Sequence, residues 1–322
     1  MRINPGIIAQ TPEDALSSAL ESIRLRSHFF GLNEMVQPWG MVIGRQPSII
    51  FHVQIEGRSE LELHGEADRV WLEAGDVALI THGCPHTLRH GPPAYDEPLE
   101  ALLARASRPG TLRNRPGPTS ERFLCGGFTL EDGLSHPLLR ALPELIVLPP
   151  VGREPWLEST LQFIASEAAT AAAGASTVIR RLVDVLLIQC FRQYFRQSAG
   201  SRGGPPSWVR GLGDSQIARA LAAIHREPEQ PWTVEQLAAE ARLSRSGFAA
   251  RFSLLVGQTP ADYLTTWRMH RGAELLRQTQ LGLAEISVRA GYESEAAFSR
   301  AFRRVHGVAP GRFRRLDLPK AS

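Results

Sequence analysis

The organisation of the last third of the chain is decided by residues 287–310, SVRAGYESEAAFSRAFRRVHGVAP, which repeat the pattern of residues 239–260, AEARLSRSGFAARFSLLVGQTP. Both stretches contain an alanine, a turn, a serine, two phenylalanines four residues apart and a closing proline. The matching pairs, about 50 residues apart, are Ser244 with Ser294, Phe248 with Phe298, and Phe252 with Phe302. Two similar helical units are therefore expected here.

Each copy has the pattern of a helix, a tight turn and a second helix. The first helix of the first copy opens at Thr233, and Gln236, three residues later, completes a capping box. The two serines cap the second helices, while the phenylalanines, together with Leu255 and Val305, are expected to point inward. Two helices joined by so short a turn form a helix-turn-helix, whose second helix fits the major groove of DNA.

The stretch between the copies, residues 260–278, is predicted to be a helix with Leu264, Met269, Ala273 and Leu276 on one side. Such a helix would hold the two units at a fixed separation. If the second helices lie roughly 34 Å apart, about one turn of B-DNA, they enter successive major grooves on one face of the duplex. One subunit would then read two groove segments.

The composition is that of a folded protein with a basic C-terminal third. The chain has 322 residues, enough for two domains, and is 43% hydrophobic and 21% charged. From Gly213 onward, 16 Lys and Arg stand against 11 Asp and Glu, whereas the remainder carries 20 against 22. A basic segment is the usual footprint of a polyanion partner.

The sequence also indicates where the protein works. It lacks the pattern of a membrane span or a secretory signal. Its three cysteines are widely scattered, which suits a reducing compartment better than a disulfide framework. A cytoplasmic, nucleoid-associated protein without membrane contact is expected.

Residues from about 35 to 130 have the pattern of short strands separated by turns. The segments IIFHVQIEG, SELELHG, RVWLEAGD and VALIT are rich in β-branched, apolar and aromatic residues, and glycines punctuate them. Short strands at this spacing predict a small barrel or sandwich.

Two helical stretches, about 155–172 and 176–197, follow a proline-rich patch. Apolar residues recur in the second at helical spacing, which is typical of a core face or of a helix that pairs with its twin in a dimer. A Gly/Ser/Pro linker then precedes the last domain. In an α+β multidomain fold, the predicted domains are a sensor or effector barrel at 1–150, a helical dimerisation or transmission region with the linker at 151–205, and the double helix-turn-helix at 206–322.

Residues 284–314, AEISVRAGYESEAAFSRAFRRVHGVAPGRFR, are similar nearly throughout to the signature of the AraC/XylS family of bacterial transcription regulators. The segments HGCPH, FLCGGFTLEDGLSHPLLRALPELIVLP and WLESTLQFIASE resemble family members with a cupin-type sensor domain. The resemblance implies a dimeric, ligand-responsive regulator whose partners are double-stranded promoter DNA, a small-molecule or metal effector, and RNA polymerase. One departure is Arg242, which stands where the family usually has glycine. A positive φ there would cost on the order of 1 kcal/mol.

The facing of the phenylalanines predicts which side chains meet DNA. The outward positions of the first reading helix are Arg245, Ser246, Ala249 and Ala250, and those of the second are Glu295, Ala296, Ser299, Arg300 and Arg303. Arginine can bind guanine O6 and N7 bidentately, whereas serine and alanine reach only base edges or thymine methyls. Predicted phosphate contacts are Arg268, Arg271, Arg304 and Arg312. For each single arginine, the alternative interpretation is a solvated surface charge. That alternative is a weaker explanation for the whole cluster of arginines.

GDVALITHGCPH, residues 75–86, resembles the second motif of the cupin barrel, and its last histidine, His86, matches a ligand in metal-bearing cupins. If Gly57 is the glycine that closes the first motif, its ligand positions fall at about Gly44, Gln46 and Ile50, so three of the four standard ligands are missing. His52 has the same strand parity as Ile50 and is expected to face the barrel interior if that position does.

The remaining nitrogen and sulfur donors form a candidate effector or metal site, consisting of His52, His82, Cys84, His86 and Cys125. Together they are enough for a tetrahedral zinc site or another transition-metal site. In the alternative interpretation, the two histidines of the turn bond backbone groups and the cysteines are small buried hydrophobes.

These patterns predict a one-component regulator, in which an effector in the barrel changes how the helix-turn-helix pair binds promoter DNA. The alternative is a metal-dependent cupin enzyme fused to a DNA-binding domain, and a third possibility is a DNA-architectural protein without an effector. The missing first-motif ligands count against an enzyme. No nucleophile triad, phosphate-binding loop or carboxylate pair stands out in the sequence.

Overall fold

The structure is a computed structural model that describes residues 25–66, 69–106, 110–130, 139, 142–149, 155–170, 172–200 and 208–317. The chain divides into two compact units. One comprises Arg24–Ser135 and Leu142–Tyr194, and the other contains Phe195–Ser322. The strands and most of the two long helices that follow them therefore share one unit.

The first unit contains two sheets. One has the strand order β11-β6-β3-β10-β1-β9, and the other has the order β5-β4-β7-β2-β8. The strands are β1 (Leu25–Met35), β2 (Trp39–Ile43), β3 (Ser48–Glu56), β4 (Ser59–Leu63), β5 (Arg69–Leu72), β6 (Val77–Ile80), β7 (His86–His90), β8 (Asp96–Pro98), β9 (Thr111–Arg113), β10 (Glu121–Leu130) and β11 (Leu145–Leu148).

The core of this unit lies between the two sheets. Met41 and Leu88 come from one sheet and Phe123 from the other, and all three are fully buried. Trp39 stacks on Phe123 with ring centroids 5.3 Å apart. Burial of each such side chain contributes about 1.5–3 kcal/mol, so the facing apolar rows hold the sheets together.

The turn between β6 and β7 depends on Gly83, which has φ 60°. A Cβ at this position would lie 1.8 Å from the carbonyl oxygen of Gln46. The backbone N–H of Gln46 also donates to the carbonyl of Gly83 across 3.0 Å. Only glycine permits this close approach, which fixes the direction in which the chain enters β7 and His86.

Three helices complete the described part of the first unit: α1 (Leu99–Ala104), α2 (Pro155–Thr170) and α3 (Ala175–Gly200). The apolar stripe predicted for α3 is buried at Val183, Leu186 and Leu187. Ser27 on β1 donates a hydrogen bond of 2.7 Å to the Asp184 carboxylate, which ties α3 to the first sheet.

The second unit is helical, as the repeat predicts. Its described helices are α4 (Trp208–Leu212), α5 (Ser215–Arg226), α6 (Val234–Glu240), α7 (Arg245–Val256), α8 (Pro260–Gln278), α9 (Leu283–Arg289), α10 (Glu295–His306) and α11 (Pro310–Asp317). The two helix-turn-helix units are α6 with α7 and α9 with α10, and α8 connects them. No helix of the described residues is long and apolar enough to cross a membrane.

The predicted caps of these helices are confirmed. Thr233 and Gln236 form the capping box of α6. The hydroxyls of Ser244 and Ser294 accept the backbone N–H of the third residue of α7 and α10, each at 3.2 Å. These bonds satisfy amides that have no partner inside the helix, so each reading helix begins at a fixed residue.

The turn of each helix-turn-helix contains one residue with left-handed backbone. It is Arg242 in the first unit, with φ 55°, and Gly291 in the second, with φ 77°. In both, the amides of the left-handed residue and of the residue after it donate to carbonyls in the last turn of the helix, in the pattern of a Schellman motif. Arg242 therefore has the backbone conformation in which the departure from glycine costs on the order of 1 kcal/mol.

The phenylalanines of both repeats point inward, but Val305 does not. Phe248, Phe252, Phe298 and Phe302 are fully buried and Leu255 is half-buried, whereas Val305 is 37% exposed. The ring of Phe302 packs instead against His306 at 4.3 Å and against Phe313 of α11 at 5.2 Å. Because these two rings cover Phe302, the prediction for Val305 was wrong.

Candidate nucleic-acid interface and buried histidine cluster

The outward face of α7 carries small side chains and one arginine. Ser246 and Ala250 are exposed and Ala249 is half-buried. The side chain of Arg245 is 69% exposed, and its Nε lies 2.6 Å from a carboxylate oxygen of Glu235 on α6. The single cation predicted on this face therefore has an acidic neighbour in its own protein.

Arg251, also on α7, is held by Asp214, a pairing that no motif or spacing in the sequence indicates. Its Nε and a second guanidinium nitrogen both donate to one oxygen of Asp214, the former across 2.8 Å. The other oxygen of Asp214 accepts the backbone N–H groups of Gln216 and Ile217, each at 3.0 Å, and caps α5. Burial alone would raise the pKa of Asp214, but these donors outweigh it and lower that pKa. The carboxylate is thus ionised and fixed.

The outward face of α10 is more basic. Glu295, Ala296, Arg300, Arg303 and Arg304 are exposed, and Ser299 is half-buried. Within the described part of the chain, Arg300, Arg303 and the exposed Arg312 form no ion pair and donate no side-chain hydrogen bond. Their guanidinium groups are available to an external anion or base edge.

Arg268 and Arg271 of α8, both predicted to contact phosphate, have different surroundings. Two nitrogens of Arg268 donate to the carbonyls of Pro228 and Gln230, each across 2.7 Å. Burial lowers the pKa of this guanidinium. Arg268 therefore braces the loop before α6, whereas Arg271 is exposed and pairs with Glu274 at 3.1 Å.

In the first unit, three of the five predicted donors lie together in the interior. The Nδ1 of His52 is 2.8 Å from the sulfur of Cys125, its neighbour across the β3–β10 pair. The Nε2 of His52 is 2.9 Å from the Nε2 of His86 on β7, and the Nδ1 of His86 is 2.8 Å from the carbonyl of Cys84. These groups form a linear chain of contacts.

The positions of the protons in this chain follow from its last member. A carbonyl oxygen only accepts, so His86 must donate from Nδ1, and a neutral His86 then accepts at Nε2. His52 in turn donates from Nε2 and accepts at Nδ1, leaving the Cys125 thiol as the donor. Burial lowers the pKa of His86 to about 4. Burial, followed by the nearby His86, also holds the pKa of His52 well below 6.5, so both rings are neutral near pH 7.

The other two predicted donors lie elsewhere. The Nε2 of His82 is 2.9 Å from the carbonyl of Leu142 and points toward the segment before β11. The Cys84 side chain packs among Ile50, Leu63 and Ile80, and burial raises the pKa of its thiol. Cys84 thus contributes only its carbonyl to the cluster, as the alternative interpretation of this cysteine expected.

A metal ion does not fit this arrangement. His52 lies between its two neighbours and uses a different ring nitrogen for each, so the three donors do not converge on one point. Among the described residues, no group of three or more His, Cys, Asp or Glu side chains is placed to hold a metal ion. Tetrahedral zinc needs four convergent ligands.

A small cavity of about 10 Å³ adjoins the cluster. Ile50 and His52, the two residues of equal parity on β3, both line it, together with Asn33 and Cys125. Leu99 and Leu103 of α1 cover it. A volume of this size accommodates about one water molecule.

The two units match two known families. Residues 14–196 match the family model described as Cupin, and residues 237–316 match the one described as Helix-turn-helix domain. An AraC-like transcription regulator of Streptomyces antibioticus is 33% identical over 310 residues, which cover 95% of this chain and 100% of that protein. The chain belongs to the AraC-like transcription regulators. The transcriptional regulator AlkR of Acinetobacter baylyi is 30% identical over 310 residues, covering 94% and 99% of the two chains.

A solved structure, the DNA-binding domain of AdpA in complex with a target DNA, is 32% identical to this regulator. It covers 31% of this chain and 89% of its own, with a TM-score of 0.30. The two family matches and the full-length relatives show that this chain is a DNA-binding transcription regulator with an N-terminal cupin domain, and its relatives are named as regulators. The predictions of family, fold class and general function are confirmed.

Proposed function

We propose that this AraC-like regulator reads promoter DNA with α7 and α10 in successive major grooves. The observation that carries the proposal is the exposed pair Arg300 and Arg303 on α10, opposite the buried Phe298 and Phe302. Neither arginine has a carboxylate partner among the described residues. A guanidinium in this state can bind a guanine edge or a phosphate without first breaking an ion pair.

The proposed DNA contacts divide into two classes. Side chains on the outward faces of α7 and α10 approach base edges: Arg245, Ser246, Ala249, Ala250, Glu295, Ala296, Ser299, Arg300 and Arg303. Phosphate contacts are assigned to Arg271, Arg304 and Arg312, which are all exposed. Phosphate contacts position the protein, and base contacts specify the sequence.

The cupin domain is proposed to bind a small-molecule effector beside His52, His86 and Cys125. Because the present cavity is about 10 Å³, an effector larger than water requires α1 to move away from it. The effector changes DNA binding only if it favours one arrangement of the regulator over another. By reciprocity, promoter DNA must then change the effector's affinity by the same factor.

We also propose that the regulator is a homodimer that acts on RNA polymerase at its promoters. Helix α3 exposes Val178, Val185 and Ile188, which are 38%, 45% and 40% accessible and follow one another by seven and three residues. This is the spacing of a seam between two paired helices. A second copy of α3 would cover these side chains.

The experiment is selection of bound fragments from the genome of origin by purified protein, followed by affinity measurements on the selected duplex and its single-base variants at one salt concentration. For Arg300→Ala, we expect discrimination at one base pair to fall by about 1–3 kcal/mol if the residue reads a base. If it holds phosphate, binding to all sequences should weaken alike.

The matched control is Arg69→Ala, which removes another exposed positive charge, from β5 in the other unit. Arg69 already pairs with Glu60 at 3.2 Å. This variant should bind the selected duplex as the unchanged protein does. Equal affinities for Arg300→Ala and the unchanged protein on every duplex would remove Arg300 from the interface and contradict the proposal.

A further inference from the structure

The two reading helices begin and end at equivalent positions of the repeat, so their faces can be compared residue by residue. Each has 12 residues, begins after a capping serine and ends at a left-handed glycine. With the phenylalanines aligned, Ala250 corresponds to Arg300, and Ser253 corresponds to Arg303. Equivalent positions therefore offer a methyl or a hydroxyl on α7 and a guanidinium on α10.

The arginines of α7 do not compensate for this difference. Arg251 is bound by the fixed carboxylate of Asp214 and aligns with Ala301, a half-buried position. Arg245 is paired with Glu235, although both side chains are largely exposed. An exposed pair is weak, but Glu235 also repels the negative edge of a guanine, which presents two acceptors in the major groove. The other side chains predicted to face DNA from α7, Ser246, Ala249 and Ala250, are small.

Small side chains and guanidinium groups recognise different bases. Alanine methyls make apolar contact with the 5-methyl group of thymine, whereas arginine takes O6 and N7 of guanine. Arg300 and Arg303 are one helical turn apart on α10, so both can face the same groove segment. The chemistry of the two faces thus selects different bases.

We infer that the DNA site of this regulator has two chemically distinct segments: one with thymines read through their methyl groups by α7, and one with guanine read by α10. The inference rests on the proposed function, because it assumes that both helices enter major grooves. It specifies the bases, which the family resemblance leaves open.

The experiment uses the full chain and its selected duplex, with single atoms removed from the DNA. Replacing a guanine by 7-deazaguanine removes the N7 acceptor, and replacing a thymine by deoxyuridine removes the methyl group. We expect the first change to weaken binding about fivefold to tenfold in the α10 segment. The second should weaken it about threefold per methyl in the α7 segment.

Two variants show which helix reads which segment of the DNA. In Arg300→Ala, the effect of 7-deazaguanine should disappear while the effect of deoxyuridine persists, which marks the α10 segment. In Ala250→Arg, which gives α7 the residue of its counterpart, the preferred base in the other segment should change from thymine to guanine. Exposed alanine and arginine both suit a helix, so this variant should fold.

The inference is overturned if deoxyuridine leaves affinity within twofold at every thymine of the site, or if the methyl effect lies in the segment assigned to Arg300. It is also overturned if Ala250→Arg leaves base preference unchanged while binding the duplex. A regulator that binds no genomic duplex more tightly than random DNA would instead refute the proposed function, and the inference with it.

Discussion

Replacing Arg242 by glycine should stabilise the helical unit, because this residue occupies a left-handed conformation at the end of α6. Its φ is 55°, and it is the non-glycine residue with positive φ in the described part of the chain. The amides of Arg242 and Leu243 donate to the carbonyls of Ala239 and Ala238, each across 2.9 Å. The turn is thus held by backbone bonds that glycine would preserve.

The magnitude follows from two opposing terms. A left-handed conformation costs an L-residue about 1–2 kcal/mol. Glycine also makes the unfolded chain more flexible, which lowers the free energy of unfolding by about 0.4–1 kcal/mol and offsets part of this gain. Arg242 is exposed and forms no ion pair or side-chain hydrogen bond with any described residue. The expected net stabilisation is therefore about 0.5–1 kcal/mol.

The equivalent turn of the second repeat provides the control. Gly291 has φ 77°, and a Cβ there would lie 2.8 Å from Nε of Arg268 and 2.9 Å from Cα of Glu229. Gly291→Ala combines left-handed strain with a displaced, well-bonded arginine. It should destabilise the same unit by about 2 kcal/mol or more.

The assay is hydrogen exchange of the full chain, followed in peptides from α7 and α8. The slowest amides of these helices report the free energy of opening of the helical unit. Arg242→Gly should slow their exchange about twofold to fivefold, the rate equivalent of the expected free energy. Exchange that is unchanged or faster would show that Arg242 bears no backbone strain, and would refute the reasoning.

Two further predictions concern the first unit. Since burial lowers the pKa of His86 from 6.5 to about 4, the unfolded state binds its proton first as the pH falls. The stability that this neutral histidine contributes above pH 6.5 is therefore lost as the pH falls toward 4. Between pH 7 and 5 the free energy of unfolding should fall by about 2 kcal/mol for this reason. In urea unfolding, His86→Asn should lack this part of the pH dependence. Gly83→Ala should destabilise the same unit by several times the about 1 kcal/mol cost of left-handed alanine, because its Cβ would meet a carbonyl oxygen at 1.8 Å. Thermal unfolding followed by circular dichroism checks this, and an unchanged transition would contradict it.

The sequence predicts the helical unit well because its signals are local. Capping at Thr233, Ser244 and Ser294 depends on residues within one turn, and the inward phenylalanines follow from helical spacing. The glycine that the family pattern usually has at Arg242 marks the position where a positive φ would be costly, and the structure has φ 55° there. Val305 was misplaced because Phe313, on another helix, covers Phe302.

Long-range pairings were not predictable in the same way. The partner of Arg251, Asp214, lies 37 residues away in the chain, and no spacing rule connects them. His82 and His86 have the same parity, yet the intervening turn at Gly83 breaks the alternation of strand side chains, and the two rings point to different partners. Only tertiary structure separates the three clustered donors from the two that lie apart.

The most direct test of two-groove reading is hydroxyl-radical footprinting of the full chain on a selected duplex. Each subunit should protect two segments centred about 10–10.5 base pairs apart on one face of the DNA. Arg300→Ala should weaken protection of one segment more than the other. Protection of a single segment per subunit would contradict the account.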